Sequence, residues 1–288
     1  MDIALRNKRF FIGLLVFLFI SCGGVDEHED SLVTIETRMG DIKMILFDAT
    51  PQHKASFLEL ANKGAYDSTT FHRVIHHFMI QAGDVSSRPK FKKYARRLIP
   101  PEFNPVLINR RGAVGAARER DRLNPMKRSS VQFYIIQGKK FSKKELTTDV
   151  ARLNAALGRY LDDGHHEELL QEFMGLQDSG RTEELQQRAL TLKEDMEKSL
   201  HEDFENHKIT PQQIKAYTTV GGAPHLDGAY TVFGEVVEGM EVVDKIAAVQ
   251  TDSTDKPINP IYLKMKVEVL PKEEIERRYG VDYPDLKK

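Results

Sequence analysis

The chain has 288 residues, 40% of them hydrophobic, with 42 Lys and Arg against 43 Asp and Glu for a formal charge of −1. That length and apolar content can bury a core in one domain plus a sizeable addition, and the balanced charge exerts no global pull towards nucleic acid or anionic lipid. One cysteine, Cys22, excludes an intrachain disulfide and a cysteine-built zinc site.

The N-terminus predicts an export signal. Arg6, Lys8 and Arg9 precede an apolar run from Phe10 to Ile20, too short for the ~20 residues that span a bilayer but suited to a signal-peptide core. Phe19-Ile20-Ser21-Cys22 resembles a bacterial lipobox, with Phe19 where leucine is usual. The resemblance implies cleavage after Ser21 and a lipidated Cys22. Gly23 to Asp30 is then an acidic, flexible tether. The expected organisation is a signal peptide over 1–21, a tether over 22–31, and a lipid-anchored protein of the bacterial cell envelope, in the periplasm or at the outer membrane.

From Leu32 the pattern becomes that of strands. Leu32 to Thr37 and Ile42 to Phe47 are rich in β-branched residues and flank Arg38-Met39-Gly40-Asp41, which predicts a hairpin. Thr50-Pro51 offers a cap and a first-turn proline to a helix whose buried side is Ala55, Phe57, Leu58 and Ala61, stopped by Lys63-Gly64. The stretch Phe71 to Asp84 then combines Arg73 and Gln81 with Phe78, Met79 and Ile80, a mixture suited to an apolar slot with two polar handles. Further blocks follow at Arg111 to Arg118, Ser129 to Ile136 and His225 to Val236, the last followed by an apolar-faced helix from Met240 to Ala248.

These four blocks, in this order, resemble the cyclophilin-type peptidyl-prolyl cis-trans isomerases. The resemblance implies a mainly β fold, a closed antiparallel barrel over 32–141 and 223–271 capped by two helices. It also implies an enzyme that rotates X-Pro bonds without cofactor or metal. Arg73 would donate to the prolyl nitrogen of the twisted imide, and Gln81 would support Arg73 and hold the substrate backbone. Phe78, Met79, Tyr134 and Leu226 would form the floor and walls of the proline pocket, with Ala117, Gln132, His225 and Tyr230 beside them. Ala117 and its neighbours would bind peptide backbone. This chain has His225 where many members have tryptophan, Tyr230 in place of a rim histidine, and Arg118 where asparagine is usual. Taken singly, Phe78, Met79 or Leu226 would be ordinary core, and Arg73 an ordinary solvated charge. His72 and His76, four apart on a strand, lack a carboxylate at ligand spacing.

Between Ser142 and Gly222 the period changes from two to between three and four. Leu146, Val150, Leu153, Leu157 and Leu161 form one stripe, Leu169, Leu170 and Phe173 a second, and Leu185, Ala189, Leu192, Met196, Leu200 and Phe204 a third. Gly164 and Ser179-Gly180 mark breaks, and Thr210-Pro211-Gln212-Gln213 predicts a capped last helix. The insertion over 142–222 is expected to be a self-packed helical hairpin or small bundle that overhangs the substrate groove, the alternative being a clamp or docking surface for unfolded or partner protein. Residues 272–288 are dense in charge and are expected to form a surface helix and tail. The expected partners are unfolded or proline-containing exported proteins, with no nucleic acid. The alternative is a chaperone or scaffold that binds proline segments without catalysis.

Overall fold

The computed structural model describes residues 28–119, 122–162, 164–281 and 283. Cys22, the expected export signal and most of the expected tether lie outside them. Among the described residues no helix is long and apolar enough to cross a membrane.

The hairpin forms where the β-branched runs predict it, with β1 (Glu29–Thr37) and β2 (Gly40–Leu46) pairing antiparallel and Thr37 opposite Gly40. β1 starts at Glu29, so the acidic segment near residue 30 is strand and not tether. Its ladder with the C-terminal strand begins at that residue, opposite Pro271. Helix α1 (Pro51–Asn62) starts on its first-turn proline, although the Thr50 hydroxyl donates to the Phe47 carbonyl at 3.2 Å instead of capping an amide. Strands β3 (Arg73–Ile75), β4 (Met79–Ala82), β5 (Ala113–Ala116), β6 (Phe133–Ile136), β7 (Val232–Glu238) and β8 (Leu263–Pro271) complete one antiparallel sheet.

The expected closed barrel is corrected by the order of that sheet, β3-β4-β6-β5-β7-β2-β1-β8, which leaves β3 and β8 as ends. The ends approach each other through an isolated bridge from Thr70 to Tyr262 and a bond from the Val74 amide to the Asp255 carbonyl at 2.8 Å. They do not form a ladder, because the chain facing β3 is a loop. The Asp252 carboxylate caps the amides of Thr254 and Lys256, and Asp255 takes a left-handed φ of 64°.

The main core gathers Val33, Ile80, Phe133 and Met265 with Phe57 and Leu60 of α1. Val242, Val243 and Ile246 of the second capping helix, α8 (Met240–Ala247), join the same core.

The insertion folds into six helices among the described residues: α2 (Lys143–Thr147), α3 (Val150–Leu161), α4 (Glu167–Asp178), α5 (Thr182–Thr191), α6 (Lys193–Leu200) and α7 (Pro211–Thr219). Its stripes pack into a separate core of Leu153, Leu157, Phe173, Ala189, Met196 and Phe204. The third stripe is not one helix, because the chain turns at Leu192 between α5 and α6 and Phe204 returns by a loop. The α7 capping box forms as predicted: the Gln213 amide donates to Thr210 Oγ1 at 3.2 Å, and the Thr210 amide to Gln213 Oε1 at 2.9 Å. After α8, the C-terminal segment forms the expected helix, α9 (Lys272–Tyr279), which is anchored by complete burial of Ile275.

Candidate active site

Strand register assembles the site. Arg73 pairs with Gln81, Gln81 with Tyr134 and Tyr134 with Gly115, one row across β3, β4, β6 and β5. Directly paired residues share a face, so these four stand together on the sheet. One residue on, Val74, Ile80, Ile135 and Val114 pair in the same way and point into the main core. Met79, Tyr134, Ala117 and Leu226 belong instead to a second apolar cluster, against which Phe78 and Tyr230 pack. The alternation of period two thus separates a core face from a site face.

Around the row, the predicted pocket residues converge. Phe78 lies in the turn between β3 and β4 and packs its ring on His225 at 5.1 Å. Tyr230 meets Tyr134 edge-on at 6.0 Å, and the Arg118 guanidinium lies 4.4 Å over Tyr230 while its Nε donates to the Ala229 carbonyl. Arginine at the asparagine place therefore builds a cationic rim on an aromatic wall. His225 keeps an exposed edge, and its partial burial lowers the imidazole pKa despite Asp227 nearby. Ala117 contributes a small side chain only. Its amide donates to the Gln132 carbonyl and its carbonyl accepts from the Ser130 amide, so its backbone donor is taken up within the protein.

Gln81 Nε2 donates to Gln132 Oε1 at 2.9 Å, and Gln132 rather than Arg73 is its side-chain hydrogen-bond partner. Arg73 is held by its Nε, which donates to Asp255 Oδ2 at 3.3 Å, with both side chains about 44% exposed. An exposed pair of this kind contributes roughly 0–1 kcal/mol, so it orients the guanidinium without locking it. The Nε contact directs the pair through one edge of the fork.

Tyr134 is fixed from two sides that the sequence motifs do not reveal. A Cβ on Gly115 would lie 2.1 Å from the Tyr134 ring, so the phenol occupies space that only glycine leaves. Its hydroxyl donates to Asn109 Oδ1 at 2.8 Å, and Asn109 donates from its amide and Nδ2 to Asp227 Oδ1 at 2.8 and 3.0 Å. Asp227 Oδ2 then accepts from Tyr217 at 2.6 Å and Gln213 at 2.8 Å, both on α7. Burial raises the Tyr134 and Tyr217 phenols well above their ordinary range, so both remain donors. The insertion thereby reaches the pocket wall through a chain of hydrogen bonds. Gly222 is the close junction beside it, where a Cβ would meet the Asn109 carbonyl and the Tyr217 ring at 2.5 Å each.

A second unforeseen cluster joins His53 of α1 to Glu102 and Ser129. Nδ1 of His53 lies 2.5 Å from Glu102 Oε2, and Nε2 lies 2.7 Å from Ser129 Oγ. The connectivity is that of a nucleophilic triad, but Ser129 is 3% exposed and the space beside His53 is about 10 Å³, room for one water at most. No substrate carbonyl reaches it. Burial lowers the His53 pKa, and the neutral tautomer that fits both contacts donates from Nδ1 and accepts at Nε2. Burial pushes the Glu102 carboxyl up, but donors from His53 and the Gln52 and His53 amides outweigh it and hold it low. The cluster ties α1 to the segment entering β6. No three His, Cys, Asp or Glu side chains converge as a metal site among the described residues.

The sequence model of the family described as cyclophilin type peptidyl-prolyl cis-trans isomerase matches residues 32–159 and 208–267. The chain belongs to that family, and is a peptidyl-prolyl cis-trans isomerase by class. Among curated relatives, a Streptococcus pyogenes protein named as a bifunctional phosphatase/peptidyl-prolyl cis-trans isomerase is 28% identical over 83% of this chain and 39% of its own length. Peptidyl-prolyl cis-trans isomerase cypE of Dictyostelium discoideum is 27% identical over 81% of this chain and 94% of its own. A solved Cryptosporidium parvum cyclophilin type isomerase covers 84% of this chain and 99% of that chain, at 21% identity and a TM-score of 0.49.

Proposed function

We propose that this isomerase lowers the rotation barrier of X-Pro bonds in exported proteins by Arg73-assisted stabilisation of the twisted imide. The uncatalysed barrier is about 18–20 kcal/mol, and no covalent bond is broken, so shape and charge are the available means. In the twisted state the prolyl nitrogen loses conjugation and gains a localised lone pair, and a donor aimed there binds that state better than either planar isomer. The observation that carries this reading is the row Arg73–Gln81–Tyr134 on the site face, with an apolar cluster beside it. Asp255 holds Nε, and the remaining guanidinium N–H groups are the donors the mechanism uses. Gln81, braced by Gln132, is placed to hold substrate backbone, while Phe78, Met79 and Leu226 exclude water around the prolyl ring and reduce screening of the cation.

A protease-coupled isomerisation assay tests it. Arg73→Ala is expected to lower kcat/KM by about 100-fold, the scale of losing one donor to developing charge, while peptide affinity changes by less than about threefold. Equal accelerated turnover in the two proteins would remove Arg73 from catalysis, and binding with no acceleration over uncatalysed rotation would instead favour a binder of proline segments.

The lipobox-like Phe19 to Cys22 supports lipid attachment at Cys22 and a place in the bacterial cell envelope. Cys22→Ser is expected to move most of the protein from the membrane to the soluble fraction of the expressing cell. Retention at the membrane would refute anchoring through that thiol.

A further inference from the structure

A pocket of about 400 Å³ lies where the insertion meets the loop that carries His225, a size within the range of ligand sites. Leu146, Val150 and Ile209 of the insertion line it, with Phe141, Pro224 and His225 from the barrel segments. Phe141, Val150 and Ile209 are only half-buried, so apolar surface remains open within it. His225 is shared. One part of its ring packs on Phe78 of the proline pocket, and the same residue lines the second cavity.

We infer that this second pocket takes an apolar side chain of the same polypeptide whose X-Pro bond is rotated, an inference that rests on the isomerase reading of the first pocket. Continuity through His225 argues for that occupant, because a chain seated over Phe78 passes the opening as it runs on. The barrel side is preformed, since Asp227 is held by both Gln213 and Tyr217. The insertion side is braced as well: Gln187 of α5 donates to Glu145 of α2 at 3.0 Å. The family match is interrupted between 159 and 208, so the helix that supplies this brace is an addition to the shared fold. The inserted helices thus act as a selector for sequence around the proline.

The test uses the full chain and proline peptides of glycine, alanine and serine that carry one leucine at each position from one to five residues on either side of the proline. Isomerisation is followed by NMR exchange. One spacing on one side is expected to raise kcat/KM about tenfold over its alanine counterpart, through KM. Val150→Glu and Ile209→Glu are expected to return that leucine-to-alanine ratio to about one. Thermal midpoints check folding, and Val150→Ser is read in the same way if glutamate unfolds the insertion. Turnover without any spacing preference overturns the inference and leaves the isomerase reading standing. A preference that survives all the variants also overturns it, since the leucine then binds elsewhere. No turnover on any peptide defeats the isomerase reading itself.

Discussion

The barrel and the insertion bury apolar side chains by different routes. The barrel core draws on residues from Val33 to Met265, so its contacts close only when distant segments meet. The insertion core draws on Leu153 to Phe204 alone, from helices joined by short turns. Local contacts cost less loop-closure entropy, and a self-contained bundle can be added to a barrel without disturbing its register. The two units are nevertheless joined at a seam where Ile108, Leu146 and Tyr217 form a small apolar cluster and Asp227 links α7 to Asn109 and Tyr134.

The sharpest way to break this comparison is to carve a cavity in each core. Phe133 sits edge-on to Phe57 at 5.3 Å and to Tyr66 at 5.8 Å, and Phe133→Ala is expected to destabilise the barrel by about 3–5 kcal/mol and abolish turnover at 37 °C. Leu153→Ala, from a fully buried site in the insertion, is expected to cost about 2–5 kcal/mol there yet keep short-peptide turnover at 25 °C within about threefold. Urea unfolding followed by circular dichroism and by turnover separates the two. Coincident loss of signal and activity in Leu153→Ala would mean that the units fold as one.

A smaller change tests the seam. Tyr217→Phe removes the hydroxyl that donates to Asp227, leaving a part-buried carboxylate short of a donor at a cost of about 1–3 kcal/mol. It is expected to lower kcat/KM a few-fold by loosening Asn109 and the Tyr134 wall. An unchanged kcat/KM with a lowered thermal midpoint would confine Tyr217 to stability.

The smallest expected effect is on pH, and it belongs to the barrel. Burial lowers the His53 and His72 pKa values below the ordinary 6.5, so the unfolded chain binds those protons more tightly than the folded one. Their contribution to stability is complete above about pH 6.5 and is lost as pH falls through the lowered folded values. Thermal midpoints measured from pH 8 to pH 5 are expected to decline over the acidic half, and His53→Asn to flatten that decline. A midpoint independent of pH in this interval would contradict the neutral, buried assignment of His53.

Much of the fold was legible locally. Thr210 and Gln213 form the predicted capping box, Pro51 starts α1, and the glycines at 164 and 180 take left-handed φ values of 80° and 69° at the predicted breaks. The turn at Leu192 was not legible, because the apolar stripe continues through it and the bend is set by packing against α3. Arg73, Gln81 and Tyr134, which the strand register sets in one row, and Phe78, Met79 and Leu226 of the neighbouring apolar cluster stood out in the sequence by type and order. Their partners did not: Asp255 lies 182 residues from Arg73, and Asp227 lies 118 from Asn109.

The amino-acid sequence alone determined which stretches become strand or helix and which side of each strand is apolar, since caps, turns and period are properties of neighbouring residues. Tertiary structure decided how the sheet ends, what holds Arg73 and Gln81, and that an inserted helix braces Tyr134. Those outcomes depend on hydrogen bonds and close approaches between segments far apart in the chain, where directional geometry, not residue type, selects the partner.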